Sequence, residues 1–182
     1  MPTFNHEIKH YLHAILLGVL LSTSVLSHAA TKEEAVKAGS IYNFTKFAVW
    51  PTDVSASDHF NLCVFSQNKP NGGLQALGGK LVADKPLVVR HNVKTSSIHT
   101  CHMAYIADDS EANIQKTLNK VKKYPILTVS DHPDFIRKGG MIGFVRSGSH
   151  VGFEINIAVA NAAGVEIGSQ LLKLAKTVKG LK

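Results

Sequence analysis

The amino-acid sequence predicts an α/β domain: a mixed β-sheet of about five or six strands with helices on both faces, in a single domain. Three observations predict it. Short runs rich in β-branched and aromatic residues, at 60–65, 87–90, 103–107 and 126–129, alternate with stretches of helical pattern. Near the end, apolar runs at 141–145 and 151–157 flank Arg146-Ser147-Gly148-Ser149-His150, which predicts an antiparallel hairpin. No internal repeat and no long linker interrupts the series. Each helix has one apolar stripe to bury, so alternating strands and helices fold into a sheet covered on both sides.

Taken in order, the first helix begins at Thr31-Lys32-Glu33-Glu34, where Thr and the Glu three residues later form a capping box. Two early acids suit the positive end of the helix. It runs to about Val49 and stops at Trp50-Pro51, because the residue before proline avoids helical angles. Val36, Ser40, Phe44, Phe47 and Trp50 form its expected inner face. Phe60 to Phe65 reads as a strand, Asn71-Gly72-Gly73 starts a short helix, and Gly78-Gly79 ends it. Strands follow at Leu87 to Arg90 and Met103 to Ala107. Ser110 then caps a helix whose apolar stripe is Ile114, Leu118 and Val121. Ile126 to Val129 is the next strand, followed by a short helix around Phe135-Ile136 that ends at Gly139-Gly140. After the hairpin, a last helix starts near Ser169, with Leu171, Leu172, Ala175 and Val178 inward and Lys173, Lys176 and Lys179 outward.

The start of the chain has a different character. Lys9 and three histidines precede the apolar run Ala14 to Leu21, and small residues close the segment at Ser27-His28-Ala29-Ala30. That is the layout of a secretory signal peptide, expected to occupy residues 1–29 with cleavage near Ala29/Ala30. The run is shorter than the about 20 residues needed to span a bilayer. Residues 30–182 then make one domain by length, not membrane-spanning once processed and working in the periplasm. The formal charge of +7 would suggest nucleic acid as a partner for a cytoplasmic protein. Export removes that partner and leaves anionic lipid, wall polymer or acidic protein surfaces.

Cys63 and Cys101 are the two cysteines of the chain. In an oxidising compartment an even pair forms a disulfide; two buried free thiols are the alternative.

Catalytic and cofactor signals fail one by one. Gly73 to Lys80 misses the phosphate-loop spacing by one residue, and Leu81 stands where a Mg²⁺-binding hydroxyl belongs. His99-Thr100-Cys101-His102 offers soft ligands in one cluster, whereas a structural zinc site takes about four, usually as two pairs. Asp131-His132-Pro133-Asp134 lies where a strand ends, the place ligands favour in α/β sheets, although an N-cap explains it without a ligand. No nucleophile elbow exists, and Glu154 has no acidic companion in sequence. The expectation is a binding or regulatory protein, not an enzyme, with no cofactor and no metal.

Several blocks together are more specific. Tyr42-Asn43-Phe44-Thr45-Lys46-Phe47 with Trp50-Pro51, Leu62-Cys63-Val64, Leu127-Thr128-Val129-Ser130-Asp131, Gly139-Gly140-Met141-Ile142, Phe153-Glu154-Ile155-Asn156 and Ser169 to Ala175 occur in this order. In these blocks the chain resembles the periplasmic YfiR-like family. The resemblance implies an α/β domain, often a homodimer, that represses an inner-membrane diguanylate cyclase by binding its periplasmic domain. It also implies release by an outer-membrane lipoprotein or by redox stress. Cys63 and Cys101 match one family disulfide; a second, later one is missing, with Val145 to Gly152 in its place. Candidate partner or ligand residues are Phe47 and Trp50, which a simple core role also explains, and Arg146 and His150 at the hairpin tip. The alternative function is a small-molecule sensory domain reporting to another receptor such as a histidine kinase. A periplasmic hydrolase or metal protein is a third.

Overall fold

The computed structural model describes residues 32–51, 57–66, 72–107, 110–148 and 150–181. The expected leader and the Thr31 cap lie outside them. Helix α1 (Lys32–Phe47) opens the domain, followed by β1 (Ala48–Val49), β2 (Phe60–Phe65), α2 (Gly72–Gln75), β3 (Leu81–Val82) and β4 (Lys85–His91). A 3-10 turn (Thr95–Thr100), β5 (Met103–Ile106), α3 (Glu111–Val121) and β6 (Leu127–Ser130) form the middle. The chain ends with β7 (Ile142–Ser147), β8 (His150–Asn156), α4 (Ile157–Ala162), β9 (Glu166–Ile167), α5 (Ser169–Leu174) and β10 (Thr177–Lys179).

The main sheet has eight strands in the order β10-β8-β7-β6-β5-β2-β4-β3, and β1 pairs with β9 in a small second sheet. This exceeds the five or six strands expected, because β3 and β10 are too short to leave a periodic signal. From β4 across to β7 the neighbours run parallel, while β7–β8 and β3–β4 are antiparallel. β2 lies between β4 and β5, so the chain winds to one side of β2 and then the other, a doubly wound order.

Alternation along the central strands explains the two-sided cover. Phe60, Leu62 and Val64 on β2 and Met103 and Tyr105 on β5 join a core beneath α1, together with Leu74, Ala160 and Leu171. Cys63, Phe65, Ala104 and Ile106 point the other way, against Ile114, Leu118 and Val121 of α3 and against Ile98 and Phe135. With both faces covered, even the polar residues of β6 are enclosed, and each has partners: Ser130 Oγ donates to Ile106 O at 2.6 Å, and Thr128 Oγ1 accepts from Met141 N at 3.0 Å.

Three elements differ from expectation. Helix α1 buries Ala38, Ile41, Phe44 and Thr45 and leaves Val36 44% exposed, so its inner face is rotated from the expected one. It stops at Phe47, and Ala48 and Val49 pair with Ile167 and Glu166. Residues 132–140 form successive turns instead of a helix, with Asp134 at φ 63° and Gly139 at φ 97°. A Cβ on Gly140 would lie 2.1 Å from the buried Phe135 ring, so only glycine lets that turn close over the ring. The last helix ends at Leu174; Ala175 turns extended, and Thr177, Val178 and Lys179 pair in parallel with Glu154, Ile155 and Asn156. The open edge of β8 supplies backbone partners there, including Phe153 O for Lys176 N at 2.8 Å, and these outweigh a helical pattern of apolar spacing.

Candidate functional site

Beyond the carboxyl ends of β6 and β7, between α1, the 132–140 turns and the hairpin, lies a cavity of about 500 Å³. Its wall carries four cations, Lys37, Arg137, Arg146 and Lys179, and four acids, Glu33, Asp131, Asp134 and Glu154, with Phe144 and Val151 as an apolar floor. The alternating charge follows from how distant segments meet. The first turn of α1 supplies Glu33 and Lys37 one helical turn apart, and their side chains pair at 3.0 Å. Lys37 also reaches Asp131, just past β6, at 3.0 Å. Arg146 at the end of β7 donates to Glu33 Oε2 at 2.5 Å, fastening the hairpin to α1. Asp134 and Arg137 pair across one turn of the 132–140 segment.

These contacts set the protonation of the wall. The hydrogen bond and charge of Lys37 hold the Glu33 carboxyl below its ordinary value, with Arg146 adding to the effect. Burial alone would lower Lys37, but its bonds to Asp131 and Glu33 prevail and raise it. Tyr105, on β5 beneath this network, is pushed up by burial and then by the neighbouring Asp131 carboxylate. Arg137 keeps Asp134 below the usual carboxylate range. A wall carrying the Glu33–Lys37–Asp131, Glu33–Arg146 and Asp134–Arg137 pairs can exchange these internal ion pairs for those of a charged ligand or a polar protein surface.

The residues singled out from sequence separate into two places. Arg146 and His150 are exposed near the hairpin tip, and Arg146 belongs to the cavity wall. Phe47, at the far end of α1, is about 21 Å of helix from Glu33, and Trp50 lies just beyond it. Phe47 is half-buried against the core. The Trp50 indole N–H donates to His102 O at 3.0 Å, and its ring meets Phe60 edge-on with centroids 5.1 Å apart. Trp50 and Phe60 also border a smaller, mostly apolar cavity of about 230 Å³ with Val49 and Val82.

Cys63 and Cys101 form a disulfide with Cα atoms 5.7 Å apart, buried beneath α3. The histidines flanking Cys101 go elsewhere: His102 Nδ1 accepts from Asn61 N and its ring stacks on Phe60, while His99 meets Tyr124. Among the described residues no three His, Cys, Asp or Glu side chains converge as metal ligands. Nor is any helix among them long and apolar enough to cross a membrane.

Sequence reading missed Glu33, Lys37, Arg137 and Lys179 as site residues. The local signals were the Glu33–Lys37 and Asp134–Arg137 spacings; the rest meet through the fold.

Comparison with known proteins adds the following. A family model described as YfiR/HmsC-like matches residues 34–176. No curated protein matches significantly. Among solved structures, a conserved domain protein from Vibrio cholerae O1 biovar El Tor superposes with a TM-score of 0.54 at 11% identity, over 78% of this chain. The match spans 60% of that longer protein, and at this identity it speaks for the fold alone.

Proposed function

Because the chain belongs to the YfiR/HmsC-like family, we propose that it is a periplasmic regulatory binding protein that represses an inner-membrane diguanylate cyclase and so lowers cyclic-di-GMP signalling and biofilm behaviour. The observation that carries this reading is the family match across residues 34–176. Residues 1–29 act as the signal peptide, and residues 30–182 form the working domain, acting as a homodimer. The mechanism is capture: the domain binds the inactive state of the cyclase's periplasmic portion better than the active state and so shifts its population. An outer-membrane lipoprotein competing for the same surface would release it. Arg146 and the adjacent hairpin tip are the contact we assign to the partner, since they combine exposure with a fixed attachment to α1.

The test is a pull-down of the tagged protein from detergent-solubilised envelope, read by mass spectrometry, beside cyclic-di-GMP measured in a deletion strain. Capture of an inner-membrane protein with a diguanylate cyclase domain and a rise in cyclic-di-GMP are expected. Arg146→Ala should weaken capture. Unchanged cyclic-di-GMP on deletion would overturn the proposal.

The charged cavity supports a second reading, a small-molecule sensory domain reporting to another receptor such as a histidine kinase. A volume of about 500 Å³ suits a small metabolite with groups of both charges. Native mass spectrometry of the purified protein distinguishes the two: a retained small molecule, with no cyclase captured, favours the sensor.

A further inference from the structure

Helix α3 turns Ile114, Thr117, Leu118 and Val121 into the core. On the opposite side Lys116 and Lys120 stand one turn apart along the exposed face, and Lys122 and Lys123 follow, exposed, in the turn that ends the helix. The only acid of this helix is Glu111, at its other end, and Lys138 already holds it at 3.0 Å. Among the described residues no acidic side chain pairs with Lys116, Lys120, Lys122 or Lys123. Directly after Lys123, Tyr124 leaves 37% of its surface in solvent, beside the exposed His99.

We propose that this face of α3 docks on an anionic phospholipid surface. Positive charge at a helix C-terminus complements the helix dipole, but one lysine in the last turn would serve that role. Four lysines that pair with no acid among the described residues make a field directed outward. They are lysines throughout, hydrated point charges on flexible stems, which suit a fluid sheet of phosphates; arginine forks suit the fixed carboxylates of a protein partner better. A partly exposed tyrosine after the last of these lysines matches the headgroup level, where its ring is apolar and its hydroxyl stays wet. The face is separate from the charged cavity, so lipid docking would leave the hairpin surface open and hold the protein next to any membrane-bound partner.

The test is co-sedimentation of the purified protein with vesicles of phosphatidylcholine alone and of phosphatidylcholine mixed with phosphatidylglycerol. Binding is expected only with phosphatidylglycerol and is expected to vanish at high salt, since exposed charges are screened. Each lysine near an anionic surface multiplies binding roughly five-fold, so K116Q/K120Q/K123Q should lose well over ten-fold. The charge-reversed K116E/K120E/K123E goes further in the same direction, and the Gln set covers the case in which reversal unfolds the helix. K94E/K173E/K176E, three exposed lysines elsewhere, has the net charge of the reversed set but should keep more of the binding than the Gln set does. Equal loss from K116E/K120E/K123E and K94E/K173E/K176E would reduce the effect to net charge and overturn the proposal. So would salt-independent sedimentation, or no binding to the phosphatidylglycerol vesicles, whether or not the protein is retained on an immobilised acidic protein. None of these outcomes depends on a cyclase, so failure here is separate from failure of the repressor reading.

Discussion

Lys37 Nζ on α1 lies 3.0 Å from Asp131 Oδ2 on the turn after β6, joining residues 94 apart in sequence. The same ammonium holds Glu33 at 3.0 Å, so one cation ties the first helix to the central sheet and, through Glu33 and Arg146, to the hairpin.

Removing that cation leaves two carboxylates facing each other beside the buried Tyr105. Lys37→Met should therefore destabilise the fold by about 1–3 kcal/mol, the cost of a half-buried charge without its partner. Lys37→Met with Asp131→Asn should cost less than the two changes summed, because the residual charge goes as well. Urea denaturation of the three variants measures this; strict additivity would mean the pair is not coupled.

The pH response has a definite sign. Glu33 titrates below its ordinary 4.5 in the fold, so its contribution is present above about that pH and is lost as pH falls through the folded value. Lys37 titrates above its ordinary 10.5, so its contribution is present below that pH and fades as pH rises through the folded value. Thermal melts across pH should show the Glu33→Gln protein losing less stability than the parent between neutrality and acid. Parallel curves would mean that the Glu33 pairing adds nothing to the fold.

Gly140→Ala should cost about 1–3 kcal/mol through overpacking, since the new methyl would meet the Phe135 ring at 2.1 Å while that ring is only 1% exposed. Gly140→Ala with Phe135→Leu should recover part of the loss. A chemical denaturation series decides it, and a neutral Gly140→Ala would mean the turn moves freely.

The Cys63–Cys101 bond closes a loop across a separation of 38 residues, which in the chain-entropy account stabilises by roughly 4 kcal/mol. Cys63→Ala with Cys101→Ala should lower the urea midpoint accordingly. Non-reducing peptide mapping of the parent should find the two joined.

Trp50→Phe should keep the edge-on contact with Phe60 but leave His102 O without its indole donor, costing about 1 kcal/mol. If Trp50 also contacts a partner, capture from the envelope will fall by more than this stability change explains.

Much of this protein was legible along the chain. The strands at Phe60–Phe65 and Met103–Ile106, the Ile114–Leu118–Val121 stripe and the hairpin around Gly148 are local patterns, where each residue's periodicity states which side must be buried. The family blocks likewise read directly, since they are strings of neighbours. What the tertiary structure decided is where local signals are weak or conflicting. Thr177–Lys179 carries a helical spacing, yet the open edge of β8 offers backbone hydrogen bonds that only the assembled sheet can supply. β1 and β9 are two residues long and exist only because each finds the other. The inner face of α1 was set by the sheet it packs on, not by its own nearly featureless pattern. The charged cavity is the extreme case. Glu33, Asp131, Arg146 and Lys179 are ordinary surface charges in sequence, and they become a site because folding brings four distant segments to the wall of one cavity, with ion pairs joining Lys37 to Asp131 and Glu33 to Arg146. Coulomb attraction acts on distance in space, and that distance is what the linear chain does not contain.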